Sequence, residues 1–330
     1  MTTRTRYFVI ASLLVLTIGV GTGLVAYYIG VPGGFLVDRD GPDELQYVPR
    51  DAAVVAYADV REIMTSDVRQ KIRRAVPLSE NGQAQFQDQT GINIESDIDS
   101  VVASLQPQPD GTTAGLVVAR GRFSDVKIEA LMREHGAQVE EYNGKRVIAQ
   151  HDVPQPAGDS IALTFLEPGL VAVGSGQMLR TAIDLQKSGE NVTKNAALMA
   201  LMRSLDRGNA WAVGRLDALR TTGRLPEQIA SQFPAITWFS VSSRVDSDIH
   251  GTVRADARDD EAANNLREVV RGFLALAKLQ AGNRPELQTL VQSLELGGTG
   301  KSVALSFSIS GAVFDAFGAN REGARKPPAH

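Results

Sequence analysis

The sequence predicts an α+β protein: an N-terminal transmembrane helix, then two repeated units of antiparallel sheet with packed amphipathic helices. Three observations predict this. Residues 7–29 form an uncharged apolar run. The rest of the chain alternates short strand-like segments, joined by glycine or Asp/Asn turns, with helical stripes. The order of these elements recurs about 134 residues later, with Arg120 falling on Arg254, Asp125 on Asp259, Arg133 on Arg267 and Glu134 on Glu268.

The apolar run of 23 residues, YFVIASLLVLTIGVGTGLVAYYI, would span about 34 Å as a helix, enough to cross a hydrocarbon core of about 30 Å with some tilt. Tyr7, Tyr27 and Tyr28 stand at its ends, where amphipathic rings favour the membrane interface. Arg4 and Arg6 precede the run, and Asp38, Arg39, Asp40, Asp43 and Glu44 follow it. Basic flanks favour the cytoplasmic side, so residues 1–6 are expected inside and the remainder outside. The run is longer than the apolar region of a cleaved signal peptide, and Val25-Ala26-Tyr27 is a poor cleavage site. An uncleaved anchor is therefore the expectation. Gly19 and Gly23 have the spacing of a helix-dimerisation motif, so a homodimer is open, although glycine is common in membrane helices for other reasons.

Composition narrows the chemistry. The chain has 330 residues, a net charge of −4 and no cysteine. Disulfides, zinc-thiolate sites, iron–sulfur clusters and thiol nucleophiles are excluded. The mild acidity gives no electrostatic case for nucleic acid.

Residues 30–45 are rich in glycine, proline and charge and read as a linker. The first repeat is expected over 46–205, the second over 206–318, and a polar tail over 319–330. Ala53 to Val60 reads as a strand, followed by a helix restarted with Ser66 as N-cap. Strands at 99–105 and 112–120 flank a Pro-Asp-Gly turn at 109–111. Ser124 caps a helix, Asn143-Gly144 closes a hairpin, and Pro168-Gly169 turns another. Helices follow at about 177–187 and 194–205. In the second repeat, a strand at 210–216 precedes a hairpin of 236–245 and 249–255 across Asp246-Ser247-Asp248. A long helix opens at Asp259-Asp260-Glu261, acids that suit its positive dipole end. Ala262, Leu266, Val269, Phe273 and Leu276 make one apolar stripe along it. The alternation of Val303, Leu305, Phe307 and Ile309 marks the final strand.

The phrase Pro49-Arg50-Asp51-Ala52-Ala53-Val54-Val55-Ala56-Tyr57, after an N-terminal anchor, resembles the opening of bacterial membrane-anchored extracytoplasmic proteins of unknown function. So does Phe165-Leu166-Glu167-Pro168-Gly169-Leu170. The resemblance implies a bacterial inner-membrane protein with its C-terminal domain in the periplasm or outside the cell. It implies no activity and carries no catalytic residues.

The enzyme-like motifs have plainer explanations. Gly297-Gly298-Thr299-Gly300-Lys301-Ser302 imitates the end of a P-loop, but Glu295 stands where the first glycine belongs and a strand follows. Ser124-x-x-Lys127 has the spacing of penicillin-recognising enzymes without their companion motifs. His135, His151, His250 and His330 show no metal-ligand spacing. The aspartates between 246 and 260 lack calcium-loop order. No cofactor is expected. Arg69, Lys71, Arg73 and Arg74 give one helix a basic face, either solvated or set against an anionic lipid surface or acidic partner. The sequence thus points to a non-enzymatic binding, sensing or scaffold module whose partner is an envelope protein or lipid. A hydrolase whose site forms only in three dimensions, or a hydrophobic-ligand carrier, are the alternatives.

Overall fold

A computed structural model describes residues 41–75, 87, 92–108, 113–149, 161–206, 208–216, 236–282 and 285–313. The expected anchor with Gly19 and Gly23, the Pro-Asp-Gly turn and the C-terminal tail lie outside the described residues. Among the described residues, no helix is long and apolar enough to cross a membrane.

Strands and helices alternate, as an α+β chain requires. The strands are β1 (Val54–Ala58), β2 (Ile98–Pro107), β3 (Thr113–Gly121), β4 (Gln138–Tyr142), β5 (Lys145–Ala149), β6 (Ile161–Glu167) and β7 (Leu170–Ser175) in the first half. The second half contains β8 (Ala210–Arg215), β9 (Ile236–Val245), β10 (Ile249–Ala257), β11 (Glu295–Gly297) and β12 (Ser302–Ile309). All twelve join one antiparallel sheet in the order β11-β12-β10-β9-β8-β1-β2-β3-β7-β6-β5-β4. The expectation of two separate sheets is corrected here: β1 and β8 pair directly, from Val54↔Gly214 to Ala58↔Ala210. Two half-sheets that each end on an apolar strand satisfy their open backbone edges by pairing with one another.

The two halves read outward from this join in the same order, β1-β2-β3-β7 on one side and β8-β9-β10-β12 on the other. Their registers also correspond. Leu116↔Gly174, Val118↔Ala172 and Arg120↔Leu170 in β3/β7 become His250↔Ser308, Thr252↔Ser306 and Arg254↔Ala304 in β10/β12, each residue displaced by 134 positions.

The helices are α1 (Val60–Thr65), α2 (Asp67–Ala75), α3 (Ile94–Asp97), α4 (Asp125–Glu134), α5 (Gly176–Ser188), α6 (Ala196–Arg203), α7 (Asp260–Ala281) and α8 (Pro285–Gln292). Their starts follow the capping residues. Asp59 accepts from the Glu62 N–H at 2.9 Å, and Asp259 from the Ala262 N–H at 2.8 Å. The helix restarts at Ser66, as the sequence predicts: this residue separates α1 from α2, and its Oγ accepts from the Arg69 N–H at 3.2 Å. The β4–β5 turn has positive φ at both Asn143 (49°) and Gly144 (80°), the geometry a two-residue hairpin of this hand needs.

Directly paired residues point to the same face of a sheet, so the register sorts the core. One face carries Leu116, Val118, Ala172, Val147 and Ala162, covered by Met178, Leu179, Ala182 and Ile183 of α5. It continues across the join through Val55, Tyr57, Trp211 and Val213, beneath Leu198 of α6. The opposite face packs Ala119, Val101, Leu163 and Val171 against Ile128 of α4, and Val303 and Ala257 against Ala262, Ala263 and Leu266 of α7.

Two differences from the sequence reading stand out. A 3-10 turn at Asp43–Tyr47 lies on the first half, with Glu44, Leu45 and Tyr47 buried, so the folded body begins before the expected linker boundary at 45. The apolar stripe of α7 does not all face the sheet: Ala262 and Leu266 are buried, but Phe273 and Leu276 are exposed. The inner side of the helix is instead continued by Val270 and, at its end, by buried Ala281.

Candidate functional site

The face covered by α5 and α6 changes character beyond β9. Successive paired rows across β9, β10 and β12 read Ser240-Arg254-Ala304, Ser242-Thr252-Ser306 and Arg244-His250-Ser308. In the first half the corresponding β3/β7 rows are Arg120-Leu170, Val118-Ala172 and Leu116-Gly174. Thus two apolar rows of a helix-covered core are matched by rows of hydroxyls, imidazole and guanidinium. The alternation of β10 produces this: Ile249, Gly251, Val253 and Ala255 turn to the helix-packed side, and His250, Thr252, Arg254 and Asp256 to the other. The rows are buried at β9, where Ser240 and Ser242 are each 4% exposed, and open toward His250 and Ser308.

The polar rows hold themselves in place. Thr252 Oγ1 and Ser306 Oγ are 3.2 Å apart, bridging β10 and β12. At the end of the rows, Asp206, Gly208, Ser242, Arg244, His250 and Thr252 line a groove of about 260 Å³. That volume suits one acidic or hydroxylated group of a larger ligand rather than a whole drug-sized molecule. Gly208 is required here, since a side chain would run into the Ser243 carbonyl.

The floor beneath the groove is rigid. Asn209 is 1% exposed. Its side chain donates to the Val245 carbonyl at 2.7 Å and accepts from the Val245 N–H at 2.9 Å. Its own carbonyl accepts from the Asp59 N–H at 2.6 Å. Arg244 reaches Glu62 of α1, Nη1 to Oε1 3.1 Å. Asp59, 3% exposed, sits behind this pair. Burial pushes its carboxyl up to about 7, with the Glu62 charge adding to the rise, while the Glu62 N–H and the Arg244 charge oppose it. Neither Asn209 nor Asp59 was identifiable as part of a site from sequence. An Asn before a strand and an Asp before a helix carry no more than turn and cap signals.

His250 and Ser308 face each other in the β10/β12 ladder. No hydrogen bond among the described residues joins them. Asp248, whose carboxyl is held below its usual range chiefly by the Gly311 N–H, is engaged in the turn at 2.8 Å. Among the described residues, no three His, Asp or Glu gather at metal-binding distance.

The basic face expected on α2 is partly spent inside the fold. Arg69 pairs with Glu95 at 2.9 Å and donates to the Met64 sulfur at 3.0 Å. Lys71 lies beside Gly311. The side chains of Arg73 and Arg74 are outside the described residues. The glycine turn at 297–302 is a hairpin between β11 and β12, and Lys301 donates to the Arg258 carbonyl at 3.1 Å. Ser124 caps α4, as its position predicts.

A second polar cluster fixes the start of the folded body to the first half. Arg120 pairs with buried Glu44, and the Tyr47 hydroxyl donates to Glu167 at 2.7 Å. Gln186 of α5 donates to both the Tyr47 oxygen and Glu167 at 3.1 Å. Burial and the Glu167 carboxylate raise the Tyr47 hydroxyl far above its ordinary range, so it remains a donor. Comparison with known protein families, with curated proteins and with solved structures returns no match for this chain.

Proposed function

We propose that this chain is a single-pass, membrane-anchored, extracytoplasmic binding module of the bacterial envelope, and that the polar rows where they open on β10 and β12 are its binding surface. The anchor is the uncharged run of residues 7–29 with its basic leading flank. The two halves descend from one repeated unit, which accounts for their shared order and register. The observation that carries the reading is the divergence between them: Val118 and Ala172 under a helix in one half, Thr252 and Ser306 in the other. An uncovered face of an antiparallel sheet is commonly polar; this one adds two guanidiniums and an imidazole among its hydroxyls. Arg244, His250 and Arg254 supply donors for an acidic group, while the serine and threonine hydroxyls accept as well as donate. The partner is an envelope component that presents carboxylate or phosphate among hydroxyls or amides.

The test uses the full chain with a C-terminal tag in a bacterium. Protease added to spheroplasts should remove the tag, and crosslinking in intact cells should recover an envelope component. A tag that stays protected would overturn the orientation. An accessible tag with no crosslinked component would overturn the binding role.

A further inference from the structure

The second half of α7 is apolar on a side that the sheet does not use. The helix has 22 residues and is about 33 Å long. Its first half is seated through Ala262, Ala263 and Leu266. Beyond Glu268 the outer side presents Phe273 at 44% exposure, Leu276 at 47% and Leu279 at 80%. These are three of the four large exposed apolar side chains among the described residues. From Val269 to Ala281 there is no acidic residue, while Arg271, paired with Glu268, and Lys278, seven residues on, lie along one edge of the stripe.

The stripe and the point where the chain enters lie toward the same strand-end edge of the sheet. Neighbouring strands alternate in direction, so β10 begins at the end where β3 finishes. The finishing end of β3 holds Arg120, to which Glu44 of the entering chain is bound. The far end of α7 leads into α8, whose Leu290 packs with Ile249 at the start of β10. The entering chain and the far end of α7 therefore lie toward the same strand-end edge, five strands apart and on opposite faces of the sheet. Eleven residues, 30–40, separate the apolar run from Gly41, a reach of at most about 40 Å.

We infer that this stripe of α7 rests on the bilayer that carries the anchor, with Phe273, Leu276 and Leu279 at the acyl boundary and Arg271 and Lys278 among anionic headgroups. A helix with an apolar stripe edged by cations is built for that interface. The contact would fix the tilt of the sheet over the membrane and hold the polar rows at a set height. The inference rests on the anchor reading for its proximity and on α7 for its chemistry.

The chain has no cysteine, so Leu279→Cys, Phe273→Cys and, as a control on the polar rows, Ser308→Cys each give a single labelling site. The full-length variants carry an environment-sensitive fluorophore in proteoliposomes of phosphatidylethanolamine and phosphatidylglycerol, with or without brominated acyl chains. Brominated lipid is expected to quench labels at 279 and 273 at least about twofold, to leave 308 unchanged, and to lose effect with Arg271→Glu/Lys278→Glu. An unquenched 279 in a chain that resists alkaline extraction overturns the membrane contact and leaves the anchor standing. Quenching at 279 in a chain that alkali extracts keeps the contact and overturns the anchor. Quenching that persists in the Glu variants overturns the role of the cations, and self-quenching of the 279 label without lipid overturns the assignment in favour of a second copy.

Discussion

Tyr57 and Trp211 oppose each other in the β1/β8 pair, and their rings stack with centroids 5.7 Å apart and planes 24° from parallel. Each belongs to the strand that opens its half, so this contact sits on the seam that makes two half-sheets into one. Trp211 is 7% exposed and its ring spans the core beneath α6. Trp211→Ala is expected to cost about 3–5 kcal/mol, the usual range for an aromatic deleted from a core. Because the seam is an unbroken ladder, unfolding followed by far-UV circular dichroism and by the fluorescence of Trp211 and Trp238 should coincide in the parent chain. Separate transitions would mean that the halves fold independently.

Asp59 should give the protein an unusual acid–base slope. Its folded carboxyl titrates near 7, above its ordinary value of 3.8, mainly because it is buried. A group raised on folding contributes stability in full below its unfolded value and loses it as pH rises through the folded value. Stability from this residue should therefore fall between about pH 4 and pH 7 and level off above. Asp59→Asn keeps a side chain able to cap α1. Urea midpoints measured across that range should lose the slope in the variant, and an unchanged slope would assign it to other groups.

The entry of the chain onto the sheet depends on Glu44 and Arg120. Glu44 is 3% exposed, and its carboxylate is neutralised by the Arg120 guanidinium. Arg120→Met would leave that carboxylate buried without its partner. Because Arg120 is about one-third open to solvent, the loss should be about 2–4 kcal/mol, toward the lower part of the range for broken buried pairs. The double variant Glu44→Gln/Arg120→Met should recover part of it, as chemical denaturation would reveal.

The polar rows should be nearly neutral for folding. Thr252→Val and Ser306→Ala, which restore the character of Val118 and Ala172, should each change stability by less than about 1 kcal/mol. A loss of several kcal/mol in either variant would make these hydroxyls structural rather than a binding surface.

Much of the fold was legible because local chemistry and final structure agree. Asn143-Gly144 can supply two positive φ angles, and Ser66, Ser124 and Asp259 end or begin helices through hydrogen bonds within three residues. The seam was not legible. Ala53 to Ala58 and Ala210 to Arg215 are both strand-like, but nothing local says that the two pair across some 150 residues. The packed side of α7 was not legible because periodicity shows that a helix is amphipathic without showing where its partner ends. Phe273 and Leu276 continue the stripe of Leu266 in sequence, while Val270 and buried Ala281 continue the packed side in the structure. The hairpin strand at 249–255 was legible, yet the meaning of His250, Thr252 and Arg254 emerged only against Leu116, Val118 and Arg120 in the matching register.

The central claim is that the polar rows are where this module meets its partner. A photo-crosslinking amino acid placed at Thr252 in the full-length, membrane-inserted chain of intact cells tests it most directly, with a second chain carrying it at exposed Val126 of α4. Capture of one defined envelope component from position 252, absent from position 126 and reduced about tenfold by Arg254→Gln, is the predicted result, a loss equivalent to about 1.4 kcal/mol. Equal capture from both positions, or capture indifferent to Arg254, would contradict it.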